Sequence, residues 1–414
     1  MFRTALFVTF AASLAACGGP ATQADAGVPL KCHEYAFTAT GAPTALGAQL
    51  VSNVFAVPLT VGASQKTVVV DTGAPVTLLD PAVWTGETLP TGQGKLASLA
   101  LGSLTATDVT VVAAPVGATT GEGPLPGLVG GDFLCHFATS FDYRQPRVLL
   151  GEQALPTDLA APVTVDAPVK GGGMGALPVG NDLVIVQLPP TRIVVAAKID
   201  GIARTLVLDS GASLTVLSPT VFGSLVDDGR KKLDGLSAST VMGSAGLTVT
   251  RAKTLEVGGA AVSGVLVASL DSASVFTALS REVGQNVDGL LGGTFLREFL
   301  VTVDYEGEQV SLRRYPARDH VQDEFIRVGV ALAPITTALP GQPHYEVQLV
   351  FPGSDAATQG LAAGTDIVSI DGTALEPLDL EAASALLLGA AGTTKAIETT
   401  TGTVMVKVED LLGN

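Results

Sequence analysis

One pattern occurs twice in this chain with its parts in the same order, and such a duplication restricts the fold to two similar units that pack as a pair. The first copy, FAVPLTVGASQKTVVVDTGAPVTLLDP, covers residues 55–81, and the second, RIVVAAKIDGIARTLVLDSGASLTVLSP, covers 192–219. In each, an alternating strand reaches a glycine (Gly62, Gly201), turns, and returns as an apolar strand ending on Asp-Thr/Ser-Gly-Ala. Thr77 and Thr215 then follow at the same offset, as do Pro81 and Pro219, so the copies share one register. They also close alike, with GLVGGDFLCHFATSFDYRQPRVLL from Gly127 and GLLGGTFLREFLVTVDYEGEQVSL from Gly289, each read as a strand, a short helix and a final hairpin. Glycines between apolar neighbours permit the close backbone approach that a buried strand meeting a tight turn requires.

The rest of the sequence agrees with a mostly β protein. Only 15% of its 414 residues are charged, Gly (48) and Pro (24) are frequent, and Val, Thr and Leu recur in short runs. Nearly half the residues are apolar, enough for two or three separately cored units. A net charge of −16, with no basic run longer than Arg230-Lys231-Lys232, argues against nucleic acid as a partner.

Two symmetric turns ending in Asp71 and Asp209 would face one another if the units pack about a pseudo-twofold axis. Carboxylates that close cannot both ionise at low cost. One stays protonated while the other takes a proton from a water held between them, so a single arrangement supplies both acid and base. Gly73 and Gly211 let backbone N–H groups approach the carboxylates, and the hydroxyls of Thr72 and Ser210 are placed to brace one turn against the other.

With these residues in view, the segments 68–79 and 206–217, together with Gly-Leu-Val/Leu-Gly, resemble pepsin-like and retropepsin-like aspartic proteases over roughly residues 45–315. The resemblance implies a bilobal acid-protease fold. Asp71 and Asp209 would be the dyad, Thr72 and Ser210 the bracing hydroxyls, and Leu128-Val129-Gly130 and Leu290-Leu291-Gly292 the supports behind them. The lobes are short, and Gly-Ala rather than Gly-Ser follows each Asp-Thr/Ser, so the chain looks like two fused retropepsin-like units. Pro75 stands where the second copy has Ser213 and removes a hydroxyl and an N–H from the first turn.

The second copy is longer between its Asp turn and its next strand, and the extra segment includes VMGSAGLTV at 241–249. It reads as two strands joined at Gly243-Ser244-Ala245-Gly246, a glycine-tipped flap over the dyad. It lacks the Tyr that pepsins carry there.

At the N-terminus, Arg3, an apolar run over residues 5–15 and Leu14-Ala15-Ala16-Cys17 read as a signal peptide (1–16) with a boundary resembling the bacterial lipobox. Cys17 would be acylated and residues 17–30 would form a tether, placing the chain on a membrane surface in the bacterial envelope. In that oxidising compartment Cys32 and Cys135 are candidates for one disulfide.

The two lobes are assigned to residues 31–165 and 166–316. After a polar linker, HYEVQLVFPGSDAATQGLAAGTDIVSIDGTAL at 344–375 resembles the bacterial PDZ signature, which implies a peptide-binding domain over 322–414. Val328, Gly329 and Val330 are its candidate carboxylate-binding loop. The four histidines have neither metal-ligand nor triad spacing, and no nucleotide fingerprint or nucleophile elbow is present, so neither cofactor nor metal is expected. The leading expectation is therefore an aspartic endopeptidase, monomeric because two fused lobes already supply the symmetry, acting on peptides or unfolded proteins. The alternative, favoured by Pro75, keeps the fold for peptide binding without catalysis. An unrelated β-protein would leave the two Asp turns far apart.

Overall fold

The computed structural model describes residues 37–41, 44–117, 119–120, 123–152, 154–179, 182–240, 243–271, 273–316, 325–335 and 344–413. Cys17, the signal and tether segments, and Cys32 lie outside them. Cys135 is disulfide-bonded. No helix among the described residues is long and apolar enough to cross a membrane.

The repeated sequence becomes a repeated topology. Val54–Val61 and Ser64–Val70 pair as an antiparallel hairpin whose second strand ends at Asp71. Gly127–Val129 then threads parallel to that strand, Leu128 against Val69 and Val129 against Val70, and antiparallel to Leu78–Leu79. In the second copy Ile202–Leu208 returns along Asp182–Ile199, and Gly289–Leu291 lies between it and Thr215–Leu217 in the same two senses. Gly130 and Gly292 close these threads with no room to spare: a Cβ at Gly130 would strike the Val76 carbonyl, and one at Gly292 the Leu214 carbonyl. Strands covered on both faces explain the nearly continuous apolar runs before each Asp.

A six-stranded sheet joins the lobes, in the order Val163–Asp166, Gln309–Arg314, Phe299–Asp304, Thr139–Asp142, Arg147–Leu150, Thr44–Gly47. At its centre Ser140 pairs with Thr302, flanked by Thr139 with Val303 and Phe141 with Val301. Ser140 and Thr302 occupy the same place in the two copies, each two residues before an Asp-Tyr. Equivalent positions paired with each other mark an approximate twofold axis, and the two hydroxyls meet there at 2.8 Å. Beneath the sheet, Phe55, Phe133, Phe141, Phe295 and Phe299 belong to one core that spans both lobes. The strand Val163–Asp166 straddles the lobe boundary expected at 165 and pairs with the second lobe's Gln309–Arg314.

Two further hairpins belong to the second lobe. One joins Val169–Val179 to Asp182–Ile199 and leans across the first lobe, where Val186 and Leu188 on alternate positions enter a core with Val54, Val69, Val76 and Leu128. The other pairs Lys232–Thr240 with Gly243–Val257. Its register corrects the expected flap tip. Thr240 lies opposite Gly243, so the connection is the two-residue step 241–242, which is outside the described residues. Gly243, Ser244 and Gly246 are strand positions facing Thr240, Ser239 and Ser237. Thr240 Oγ1 donates to the Gly243 carbonyl at 2.7 Å, and Gly243, at φ +108°, uses the freedom that only glycine has there. Leu247 pairs with Leu236 rather than closing a tip at 243–246, and the two residues left between Thr240 and Gly243 are the spacing of the commonest hairpin connections.

The C-terminal unit forms a separate sheet with Val330–Pro334 at one end of the strand order and the helix Leu380–Ala385 packed beside it. Asp379 caps that helix, accepting from the Ala382 N–H. Phe325, Phe351, Leu411 and Leu412 of this unit share a core with Leu233, Leu247, Phe276 and Leu279 of the second lobe. Arg251 and Asp410 add an ion pair at 3.2 Å across the same contact.

Candidate active site

Each Asp turn is built from its own strand and thread. The Asp71 N–H donates to the Val129 carbonyl and the Asp209 N–H to that of Leu291, both at 3.0 Å, which fixes where each carboxyl leaves the sheet. Gly73 N–H then donates to Asp71 Oδ1 at 2.7 Å and Gly211 N–H to Asp209 Oδ1 at 2.9 Å. Each of these bonds favours the ionised form of the carboxyl that accepts it.

The two turns meet. Thr72 N–H donates to Ser210 Oγ at 3.1 Å and Ser210 N–H to Thr72 Oγ1 at 3.0 Å. Each hydroxyl passes its own proton across the interface, Thr72 to the Leu208 carbonyl at 3.1 Å and Ser210 to the Val70 carbonyl at 2.9 Å. Four reciprocal bonds thus lock lobe to lobe directly under the carboxylates, and Gly73 lies so close to the Asp209 carboxyl that a Cβ would collide with it. The brace brings the two carboxyls together, and both side chains are buried. Burial first, then the charge of Asp71 and its hydrogen bond, hold Asp209 protonated well above the usual carboxylate range.

The Thr72–Ser210 brace carries a measurable prediction. Thr72→Val leaves the Ser210 N–H and the Leu208 carbonyl without partners in a dry site, at a cost of about 2 kcal/mol or more. Ser210→Ala should cost a similar amount, and a double-mutant cycle by chemical denaturation should show the pair strongly non-additive. Additive losses would mean that the bonds do not act as a unit.

A second layer holds the threads. Gly130 N–H donates to Thr77 Oγ1 at 3.2 Å, and Thr77 passes its proton to Asp132 Oδ1 at 2.7 Å. In the second copy Gly292 N–H donates to Thr215 Oγ1 at 3.3 Å, while Thr294 stands in place of the carboxylate and donates to the Leu266 carbonyl at 2.8 Å. The shared threonines were visible in the sequence as a register marker only, and Asp132 was passed over. So was Arg192, a buried guanidinium bound to Glu282 at 2.8 and 3.0 Å. Tyr305 is likewise buried near this cluster, and burial together with Asp71 and Asp132 raises its phenol far above its ordinary value. For Asp132 and Arg192 the signal in the sequence is that the copies disagree, Asp132 against Thr294 and Arg192 against Val54, whereas Tyr305 matches Tyr143 and carries no such mark.

Of the other expected site residues, Gly243, Ser244 and Gly246 lie along the second-lobe hairpin described above. Val328, Gly329 and Val330 run from one strand into the next in the C-terminal unit, with both valines buried. The Val328 N–H already donates to the Leu387 carbonyl at 2.9 Å, which removes one of the three amides the carboxylate-loop reading needs. Among the described residues no group of three or more His, Cys, Asp or Glu is arranged to hold a metal.

Two buried carboxyls brought together across an approximate twofold axis, with Asp209 raised by burial and by the charge of Asp71, can chemically take a proton from a water and return one. Consistent with it, residues 195–295, about a quarter of the chain, match the family model described as "Aspartyl protease". The match spans the second copy from its first strand through Asp209 to Gly292, and the internal repeat relates Asp71 to it. No curated protein matches the chain. Among solved structures, the aspartic proteinase of Irpex lacteus aligns with 66% of this chain and 97% of its own at 14% identity and a TM-score of 0.40.

Proposed function

We propose that this protein is an aspartic endopeptidase in which Asp71 and Asp209 hydrolyse peptide bonds through a shared water. The observation that carries the reading is the pair of carboxyls clamped together by the reciprocal Thr72–Ser210 bonds. With one proton on the dyad and Asp209 favoured to hold it, ionised Asp71 takes a proton from the water as its oxygen bonds to the peptide carbonyl carbon. Asp209 gives its proton to the carbonyl oxygen, so no full oxyanion develops. A proton then passes from the dyad to the amide nitrogen, the C–N bond breaks, and the diol collapses to a carboxylic acid with the dyad again singly protonated. Both carboxyls come from one chain, so the site is complete in a monomer, and no cofactor enters any step. Extended peptides and unfolded segments are the substrates this reading implies, with the hairpin of Lys232–Thr240 and Gly243–Val257 closing over them.

The C-terminal unit supplies a second, peptide-binding part of the proposal. Val330–Pro334 is an end strand with a helix beside it, the arrangement to which an extended peptide adds as a further strand. Export and acylation at Cys17, read from the sequence, would hold the enzyme on a membrane surface in the bacterial envelope. The test is incubation of the soluble chain from Lys31 onward with an unfolded protein between acid and neutral pH. Cleavage supports the reading. An inert protein at every pH, with its fold intact, turns it toward peptide binding alone.

A further inference from the structure

The two copies build nearly the same surroundings for their aspartates, and they differ at one charged position. Seventeen residues before each Asp the first copy has Val54 and the second has Arg192, both buried, Arg192 at 2% exposure. The residues just before them mark where they sit. Asn53 donates to the Ser213 carbonyl in the second lobe's Asp turn at 3.1 Å, while Thr191 packs against Gly131, whose N–H donates to the Ala74 carbonyl in the first lobe's Asp turn. At these residues each copy's first strand therefore passes the opposite lobe's turn, which places Arg192 beside the dyad where its mate is a valine.

Arg192 is held in place by Glu282, near the C-terminal end of the helix Ser274–Val283, through two bonds from Nε and Nη2 to the two carboxylate oxygens. The glutamate side chain is 8% exposed. Phe276, Leu279 and Val283 anchor the helix in the core, and Gly171 covers the pair so closely that a Cβ there would press on both side chains. Burying two ions costs several kcal/mol that their mutual attraction repays only with good geometry, and a valine serves the same position in the other lobe. A function in the field is the better account of the pair than stability. The cation interacts with Asp71 and Asp209 as well as with Glu282.

We propose that Arg192, oriented by Glu282, is a positioning residue of the dyad, the charge that keeps one of the two carboxyls ionised and so selects the pH range in which the site works. The groups facing this arrangement are Asp71 and Asp209 at the ends of their strands, Glu282 on the helix, Asp132 beneath the first thread, and Tyr305 beyond the central strand. Arg192 opposes the burial and the mutual repulsion that push the dyad toward full protonation. Glu282 partly cancels that cation, so removing either partner moves the dyad in the opposite direction from removing the other.

The inference deepens the endopeptidase reading and rests on it for its kinetic readout only. Arg192→Met, Glu282→Gln and Arg192→Lys are compared with the wild type by the pH profile of kcat/KM on an unfolded protein and by carboxyl carbon NMR titration of the dyad. The NMR titration reads the dyad whether or not cleavage occurs, so an inert wild type would sink the endopeptidase reading and leave this one decidable. Arg192→Met should move the dyad's titration and both limbs of the profile upward by about one pH unit, a tenfold change in proton affinity. Glu282→Gln should move them downward, by about half a unit, and Arg192→Lys should stay near the wild type. If Arg192→Met does not fold, Glu282→Gln alone decides. Shifts in the same direction, or a drop in rate with an unmoved titration, overturn the proposal in favour of a purely structural ion pair.

Discussion

Asp71→Asn and Asp209→Asn should each lower kcat/KM on an unfolded protein by about a thousandfold or more while leaving the fold in place. The amide is nearly the size of the carboxyl, and its oxygen can still accept from the Gly73 or Gly211 N–H, so the Thr72–Ser210 brace has no reason to loosen. What is lost is specific to the chemistry. An amide takes no proton from water, and it removes the like charge whose presence makes the two groups share one proton. The same argument predicts that neither variant is less thermally stable than the wild type, because a buried carboxyl, ionised at Asp71 and held protonated at Asp209, is replaced by a neutral group of nearly its size. Activity and stability measured on the same samples separate the outcomes. A single variant that keeps activity within tenfold of wild type would falsify the shared-proton mechanism.

Asp132→Asn should raise stability at neutral pH by a few kcal/mol, an effect of the order expected when a buried group no longer has to ionise. Asp132 is 6% exposed, and burial lifts its carboxyl to about 7 in spite of the Thr77 hydroxyl and the backbone bonds that favour the ion. Its unfolded value is 3.8. Between those two values the folded state holds a proton that the unfolded state has released, so stability falls as pH rises from about 4 to about 7 and levels off beyond. The amide retains an oxygen for the Thr77 proton, and the second copy already carries the uncharged Thr294 at this place. Melting temperatures of wild type and variant should therefore converge near pH 4 and separate steadily toward pH 7. Parallel curves across that range would mean that Asp132 does not titrate in the folded protein.

The duplication, the two Asp turns, the glycines behind them and the register that makes residues 71 and 209 equivalent were all legible in the sequence. Each is a local requirement: a strand period, a turn that needs glycine, an apolar run covered on both faces. The expected flap failed at this same local level, since glycines mark freedom of the backbone without saying which residues turn, and cross-strand pairing of Thr240 with Gly243 moved the connection to 241–242. Tertiary structure alone decided that Ser140 would meet Thr302 on the axis, that Thr72 and Ser210 would exchange bonds, and that Asp132, Arg192 and Tyr305 would be buried around the carboxyls. Those residues look like ordinary polar punctuation in one dimension. Burial and the distance between charges, which give them their chemistry, exist only once segments more than a hundred residues apart have been brought together.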